Sequence, residues 1–127
     1  MAQRILVVDD NPDSVAIMRN ILESRGYTVF VAAGGAAALQ IVSKEPLDLV
    51  LLDVMMPEMS GIEVLQQIKD NSQTSRLPVI LVTAKTHDED VMVGYQYGAD
   101  YYITKPFTAK QLLYGISLVL GKGESVG

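Results

Sequence analysis

The sequence predicts an α/β domain in which one parallel, five-stranded sheet is covered by helices on both faces. Five short apolar runs recur along the chain, segments of helical period separate them, and the first, third and fourth runs are apolar at nearly every position. Continuous apolar runs are typical of strands buried on both faces, whereas strands with one solvated face alternate apolar and polar residues. With 127 residues, of which 49% are hydrophobic, the chain has the size and composition of one domain with its own core.

The five apolar runs are the predicted strands. They cover residues 5–8, 27–32, 49–52, 79–82 and 101–103. Because strands and helices alternate strictly, the crossovers between parallel strands are expected to be right-handed. The resulting sheet is doubly wound, and we expect the flavodoxin-like strand order 2-1-3-4-5 with five helices.

The first two predicted helices have clear boundaries. The first begins at residues 11–13 and ends at Gly26, because glycine suits the residue that follows a helix. Its stripe consists of Val15, Met18, Ile21, Leu22 and Arg25. The second helix covers residues 36–44, is rich in alanine, and stops before Pro46 because the residue that precedes a proline disfavours the helical conformation.

The remaining three helices differ in how strongly the sequence marks them. The third carries Ile62, Leu65 and Ile68, and the fourth, at residues 88–97, has a weak apolar period. The fifth is strongly amphipathic, with apolar positions at Ala109, Leu112, Leu113, Ile116 and Leu120. We therefore expect a domain at residues 1–120, followed by a flexible C-terminal tail at residues 121–127, which has no apolar period.

The composition excludes several classes of protein. Cysteine is absent, so disulfide frameworks and thiolate metal sites are excluded, and a cytoplasmic location is expected. The apolar run near the start is too short for a signal peptide, and no run is long enough to cross a bilayer. The net charge is −5 without a cluster of basic residues, so we expect neither nucleic acid nor membrane as a direct partner.

Polar residues follow the predicted strands at the edge where the carboxyl ends of parallel strands meet. They are Asp9 and Asp10 after the first strand, Asp53 after the third, Thr83 after the fourth and Lys105 after the fifth. Ligands of open parallel sheets bind at this edge, so these side chains are expected to converge. Crowded carboxylates raise one another's pKa unless a cation neutralises them, and Mg²⁺ prefers oxygen ligands of this kind.

Each of these polar residues, taken alone, also has a purely structural interpretation. Asp9 and Asp10 could cap the helix that begins near Pro12, and these two residues alone favour neither this interpretation nor the functional one. Thr83 could be an N-cap, and Lys105 could be a surface lysine. The functional hypothesis therefore depends on the whole set of residues.

The set resembles the receiver family of two-component response regulators, and is similar in particular to the single-domain chemotaxis-type regulators. The resemblance extends over residues 5–120 and rests on five separated matches. They are the acidic pair Asp9-Asp10, Asp53 within residues 52–57, Gly61, Thr83-Ala84, and Lys105-Pro106-Phe107. Any one match would be weak evidence, whereas the combination is highly specific.

The resemblance implies a Mg²⁺-dependent phosphoacceptor site. Asp53 would accept a phosphoryl group from the phosphohistidine of a sensor histidine kinase or of a histidine phosphotransfer protein. Asp10, Asp53 and the backbone carbonyl of Met55 would bind Mg²⁺ directly, and Asp9 would bind it through water. The side chain of Met55 would then be free to lie over the site, where an apolar group hinders an attacking water.

The resemblance also implies how the switch works. Lys105 and the Thr83 hydroxyl would contact the phosphoryl oxygens, with Lys105 directed inward by a cis bond to Pro106. Movement of Thr83 would leave room for Tyr102 to turn inward, which changes the face formed by the fourth helix, fifth strand and fifth helix. A downstream protein or effector domain would bind that face. The tyrosines Tyr95, Tyr97, Tyr101 and Tyr102 crowd this region, and packing and partner binding are equally compatible with them.

The expected protein is a signalling switch that assists its own phosphoryl transfer and is not a dedicated enzyme. The main alternative is a degenerate receiver that acts as a phosphorylation-independent binding module. A flavodoxin-like electron carrier is disfavoured because residues 9–12 would repel a flavin phosphate. An aspartate-nucleophile phosphatase would place its nucleophile after the first strand. A monomer and a phosphorylation-dependent dimer are both compatible with the sequence.

Overall fold

The elements of the fold alternate between strand and helix along the chain. The computed structural model describes residues 2–84 and 88–121, with backbone alone for residues 88–91. The elements are β1 (Arg4–Val8), α1 (Pro12–Glu23), β2 (Thr28–Ala32), α2 (Gly35–Lys44), β3 (Leu49–Leu52), α3 (Gly61–Asp70), β4 (Val79–Thr83), α4 (Asp88–Gln96), β5 (Tyr101–Thr104) and α5 (Ala109–Leu120). The strands form one parallel sheet in the order β2-β1-β3-β4-β5. The predicted fold class, strand order and five helices are confirmed.

Two apolar clusters cover the two faces of the sheet. Alternate residues of each strand point to opposite faces, so Leu6 and Val8 belong to the cluster that packs under α2 and α3. Ile5 and Val7 belong to the cluster that packs under α1 and α5. Every residue of β3 and β4 is buried, as the continuous apolar runs predicted. The central strands are therefore held rigidly, and their carboxyl ends with them.

The end of α1 corrects two details of the prediction. The helix ends at Glu23, and the N–H of Tyr27 donates a hydrogen bond to the carbonyl oxygen of Leu22 at 3.2 Å. Gly26 has φ 88°, which glycine adopts without strain, and is the helix-ending glycine that was expected. Arg25 is therefore exposed in the turn at residues 24–26, beyond the apolar stripe, and Tyr27 lies between this turn and β2.

Side-chain caps fix where three of the helices begin. Asn11 is the N-cap of α1, and its side-chain oxygen accepts hydrogen bonds from two backbone N–H groups of the first turn. Ser60 and Thr108 begin α3 and α5 with capping boxes. The interpretation of Asp9 and Asp10 as the caps of α1 is therefore wrong, because Asn11 fills that position.

The register of the sheet brings four strand ends to one edge. Val8 of β1 is level with Leu52 of β3, and Leu52 is level with Leu81 of β4. The ladder continues beyond the strands, since the N–H of Asp53 donates to the Val8 carbonyl and that of Lys105 donates to the Thr83 carbonyl, both at 2.9 Å. These backbone bonds fix where Asp53 and Lys105 lie beyond the ends of β3 and β5.

Two further expectations concern the ends of the chain and the membrane. The domain boundary at residue 120 stays a prediction, and the predicted tail lies outside the described residues except for Gly121. Among the helices described, none is both long enough and apolar enough to span a bilayer.

Candidate functional site

Three carboxylates lie together at the carboxyl edge of the sheet. One oxygen from each of Asp9, Asp10 and Asp53 lies within 4.8 Å of the others. The Asp9 side chain is fully buried, Asp53 is almost fully buried and Asp10 is exposed. We call these three residues the acidic group. Its mixture of buried and exposed oxygens forms a site that is open to solvent on one side.

Lys105 supplies a positive charge to the acidic group. Its Nζ lies 2.6 Å from Asp9 Oδ2 and 3.5 Å from Asp53 Oδ2, and 19% of its side chain is exposed. The Lys105–Pro106 peptide bond is cis, as the family resemblance implied. In the part of the chain that the structure describes, Asp10 has no ion pair, so Lys105 pairs with two of the three carboxylates.

Asp9 is oriented by a second contact that the sequence analysis did not include. The N–H of Asn11 donates to Asp9 Oδ1 at 2.9 Å, while Lys105 binds the other carboxylate oxygen. Asn11 thus caps α1 with its side chain and holds Asp9 with its backbone. The Asn-Pro step at a helix start was the available signal for this position.

The electrostatic environment raises the pKa of Asp53 above its ordinary value. Burial is the largest cause, because it disfavours the charged carboxylate, and repulsion from Asp9 acts in the same direction. The charge of Lys105 opposes the rise, as do hydrogen bonds from the Met55 backbone and the Thr83 side chain. The ionised form of Asp53 is therefore under-compensated, and an additional cation would stabilise it.

Met55 contacts Asp53 through its backbone and leaves its side chain in solvent. Its N–H donates to Asp53 Oδ1 at 3.2 Å, and the residue is 56% exposed. The Met55 side chain therefore belongs to neither apolar cluster among the described residues. That it lies over the site, and that its carbonyl is a metal ligand, stay predictions.

The other predicted residues divide between the site and the switch region. Thr83 is the last residue of β4, is fully buried, and contacts Asp53 through its side chain. Tyr102 lies on β5 beside Leu81 and is half-buried against the apolar cluster under α2 and α3. The fold thus gathers Asp9, Asp10, Asp53, Thr83 and Lys105, and it places Tyr102 at some remove on the neighbouring strand.

Gly61, one of the five matches to the receiver family, has a steric role at the start of α3. It is the first residue of α3, and its φ is not in the left-handed region. A Cβ at this position would overlap the backbone carbonyl of Asp53 and approach the Val54 Cα to 2.8 Å. The Gly61 N–H also donates to the Val54 carbonyl at 2.9 Å. The start of α3 therefore lies directly against the backbone of Asp53.

Comparison with known families and sequences identifies one matching family and several similar curated proteins. The family described as the response regulator receiver domain matches residues 5–117. A probable cyclic di-GMP phosphodiesterase of Vibrio cholerae is 48% identical over 102 residues, which cover 80% of this chain and 23% of that protein. The alkaline phosphatase synthesis transcriptional regulatory protein PhoP of Bacillus subtilis is 38% identical over 124 residues, which cover 98% of this chain and 51% of that protein. The chain thus spans about half or less of the length of these curated relatives.

Solved structures share the fold over the whole domain. A CheY-like response regulator receiver domain protein from Methanospirillum hungatei has a TM-score of 0.91 at 32% identity, with 100% of both chains covered. The receiver domain of a Pseudomonas aeruginosa sensor histidine kinase has a TM-score of 0.88 at 29% identity, covering 96% of this chain and 100% of that one. That structure carries a magnesium ion coordinated in its active site cleft.

The raised pKa of Asp53 leads to a prediction about stability and pH. An acid whose pKa is raised in the folded state stabilises the fold at low pH and loses this contribution as pH rises from 3.8 through the raised value. In the presence of a chelator, the wild type should lose stability over this window, and Asp53→Asn should lose less. At neutral pH the variant should therefore unfold a few degrees above the wild type in thermal melts. A variant that melts below the wild type at neutral pH would contradict this assignment.

The close approach of α3 to Asp53 predicts a large cost for a small side chain. Gly61→Ala forces a methyl group against the Asp53 backbone, and such overpacking costs about 1–3 kcal/mol of unfolding free energy. Urea denaturation measures this loss. Gly121→Ala is the matched control, because nothing lies within 4 Å of a Cβ at that position, and its change should stay within about 0.5 kcal/mol. Equal effects of the two substitutions would show that steric contact is not the cause.

Proposed function

Because this chain belongs to the response regulator receiver domain family, we propose that it is a phosphorylation-activated signalling switch whose acceptor is Asp53. The observation that carries this assignment is the position of Asp53 in the acidic group, buried and 3.5 Å from Lys105. A buried carboxylate with a raised pKa and a specific charged neighbour is typical of a reactive site. We assign the switch to a domain at residues 1–120, and we propose that the protein is cytoplasmic.

The chemistry is transfer of a phosphoryl group between two side chains. The donor is a phosphohistidine on a sensor histidine kinase or on a histidine phosphotransfer protein. A carboxylate oxygen of Asp53 attacks the phosphorus, an O–P bond forms, and the N–P bond to the donor imidazole breaks. Lys105 and the Thr83 hydroxyl stabilise the negative charge of the transferring group, so catalysis is mainly positioning and electrostatics.

The residues of the acidic group fit a magnesium ion. Asp10 and Asp53 would offer carboxylate oxygens from this group, Met55 would offer a backbone carbonyl, and Asp9 would act through a water molecule. All of these donors are oxygens, which Mg²⁺ prefers, and the related Pseudomonas aeruginosa receiver domain carries magnesium in its cleft. The ion would supply positive charge to the crowded carboxylates and to the phosphoryl oxygens. Lys105 supplies part of that charge from the protein side.

The output surface is the face formed by α4, β5 and α5. Thr83 and Tyr102 connect the site to this face, because β4 and β5 are neighbours in the sheet. Several large side chains are exposed there, namely Met92, Tyr95, Tyr97, Tyr114 and Leu118. Exposed tyrosines favour the partner-binding interpretation for α4, while Tyr101 and Tyr102 are half-buried and contribute to packing. The proposed partner is a downstream protein or an effector domain. This chain would bind it as a monomer or as a phosphorylation-dependent dimer.

Phosphorylation at Asp53 is tested by intact mass. The protein is incubated with acetyl phosphate and Mg²⁺, and the wild type should gain the mass of one phosphoryl group. Asp53→Asn should gain none, because an amide is not a nucleophile for this reaction. Asp13→Asn is the matched control: Asp13 lies exposed in the first turn of α1, outside the acidic group, and this variant should be phosphorylated like the wild type. A folded wild type without the mass gain would instead support the phosphorylation-independent binding module.

Coupling between the site and the output face is tested by amide hydrogen exchange. Beryllofluoride with Mg²⁺ serves as the phosphoryl mimic, and exchange should change between residues 83 and 102 in the wild type. Thr83→Ala should reduce that change, because the hydroxyl that would follow the phosphoryl group is missing. If the mimic binds and exchange in this region stays constant, the output runs through another face.

A further inference from the structure

We propose that a groove beside α5 binds an acidic segment of a partner protein, and that Arg25 and Lys110 pair with the carboxylates of that segment. The groove has a volume of about 800 Å³ and lies between α5 and the residues that join α1 to β2. We call it the basic groove. Its lining includes no residue of the acidic group and neither Thr83 nor Tyr102, so the inference goes beyond the proposed function and does not rest on it.

The lining of the basic groove combines positive charge with hydroxyl groups and aromatic rings. The lining side chains that reach beyond Cβ are Arg25, Tyr27, Lys110, Leu113, Tyr114 and Ser117. None of them is acidic, although the whole chain carries 15 acidic residues against 10 basic ones. The groove is therefore a positively charged strip on a protein whose net charge is −5, and it is complementary to a negatively charged partner.

The two positive charges of the groove are uncompensated. Both side chains are exposed, and neither forms an ion pair or a side-chain hydrogen bond with another residue in the described parts of the chain. Four other basic residues do pair with carboxylates, namely Arg4, Arg19, Lys69 and Lys105. Arg25 and Lys110 can therefore bind incoming carboxylates without first giving up a partner within the domain.

The shape of the groove favours a chain segment over a small ligand. Lys110 and Ser117 lie seven residues apart on α5, which corresponds to about 10 Å along the helix axis. Most of the lining is exposed, while Tyr27 and Leu113 are half-buried. A small-molecule site buries most of its ligand, whereas an open surface rich in tyrosine and arginine is typical of a protein interface. An occupant that extends along α5 would use the whole groove.

The number and type of charges favour a peptide over a nucleic acid. A nucleic acid is bound by neutralising several of its phosphates, whereas this groove offers two cations on an acidic protein. An acidic segment needs only two carboxylates that match them. The Arg25 guanidinium can bind one carboxylate through two hydrogen bonds, and Lys110 can pair with another as a point charge. The hydroxyls of Tyr114 and Ser117 can donate to remaining carboxylate oxygens, and Leu113 offers an apolar contact.

The first experiment tests the charge and the location of the site. The probe is a short fluorescent peptide in which glutamates flank a central leucine, and the control peptide has lysine in place of each glutamate. Fluorescence anisotropy should show binding of the glutamate peptide alone, weakened by added salt because exposed charge pairs are screened. Amide chemical shifts should change at residues 25–27 and 109–117. Changes confined to another surface, or equal binding of the lysine peptide, would overturn the proposal.

The second experiment compares two double variants with the same loss of charge. Arg25→Ala with Lys110→Ala removes both cations of the groove and should weaken binding of the glutamate peptide about tenfold. Lys44→Ala with Arg76→Ala is the matched control, because both residues are exposed and neither lines the groove. It should bind like the wild type, and thermal unfolding verifies that both variants are folded. Equal weakening by the two double variants would assign binding to the overall charge and overturn the proposal.

Other occupants of the groove give different results in the same measurements. Tighter binding of a single-stranded oligonucleotide than of the glutamate peptide would assign the groove to a nucleic acid. Self-association in sedimentation that is abolished by Arg25→Ala with Lys110→Ala would assign it to a second copy of this chain. Either result would overturn the proposal. All binding is measured without phosphodonor or Mg²⁺, so failure of phosphorylation at Asp53 leaves this test unaffected.

Discussion

The site depends on one electrostatic constraint, the confinement of three carboxylates at the carboxyl edge of a buried sheet, where Lys105 pairs with two of them. The backbone enforces it, because the sheet ladder continues through Asp53 and Lys105 beyond the ends of their strands. These bonds fix where the backbones of both residues lie, so their side chains leave the sheet from neighbouring points at this edge. The charge on Asp53 is only partly compensated, which raises the pKa of this carboxylate and would favour the binding of a cation.

Most of the fold follows from the sequence, because burial on both faces leaves a clear signature in a parallel sheet. The runs that became β3 and β4 are apolar throughout, and both strands are fully buried. The misplacement of Arg25 and Tyr27 falls at the end of α1, where local capping decides the boundary. Apolar periodicity cannot anticipate that the Tyr27 N–H returns to the Leu22 carbonyl, which removes Tyr27 from the strand and Arg25 from the helix.

The convergence of the site residues could also be predicted, because strand ends of a parallel sheet share one edge. Individual distances and contacts within the site could not be predicted, because they depend on how far each side chain reaches. The closer pairing of Lys105 with Asp9 than with Asp53 follows from the path of the loop after β5. The contact of Gly61 with the Asp53 backbone follows from where α3 begins. Such distances arise from tertiary packing, and no local sequence pattern encodes them.

A titration with Mg²⁺ probes the acidic group most directly, because a ligand that binds only the folded state raises the unfolding temperature with its concentration. Thermal unfolding is measured at neutral pH for the wild type, Asp10→Asn and Asp13→Asn. If the acidic group holds the ion, the unfolding temperature of the wild type and of Asp13→Asn rises through the millimolar range, and that of Asp10→Asn rises much less. A wild type that is insensitive to Mg²⁺, or an Asp10→Asn variant that responds equally, would contradict a metal site formed by these carboxylates.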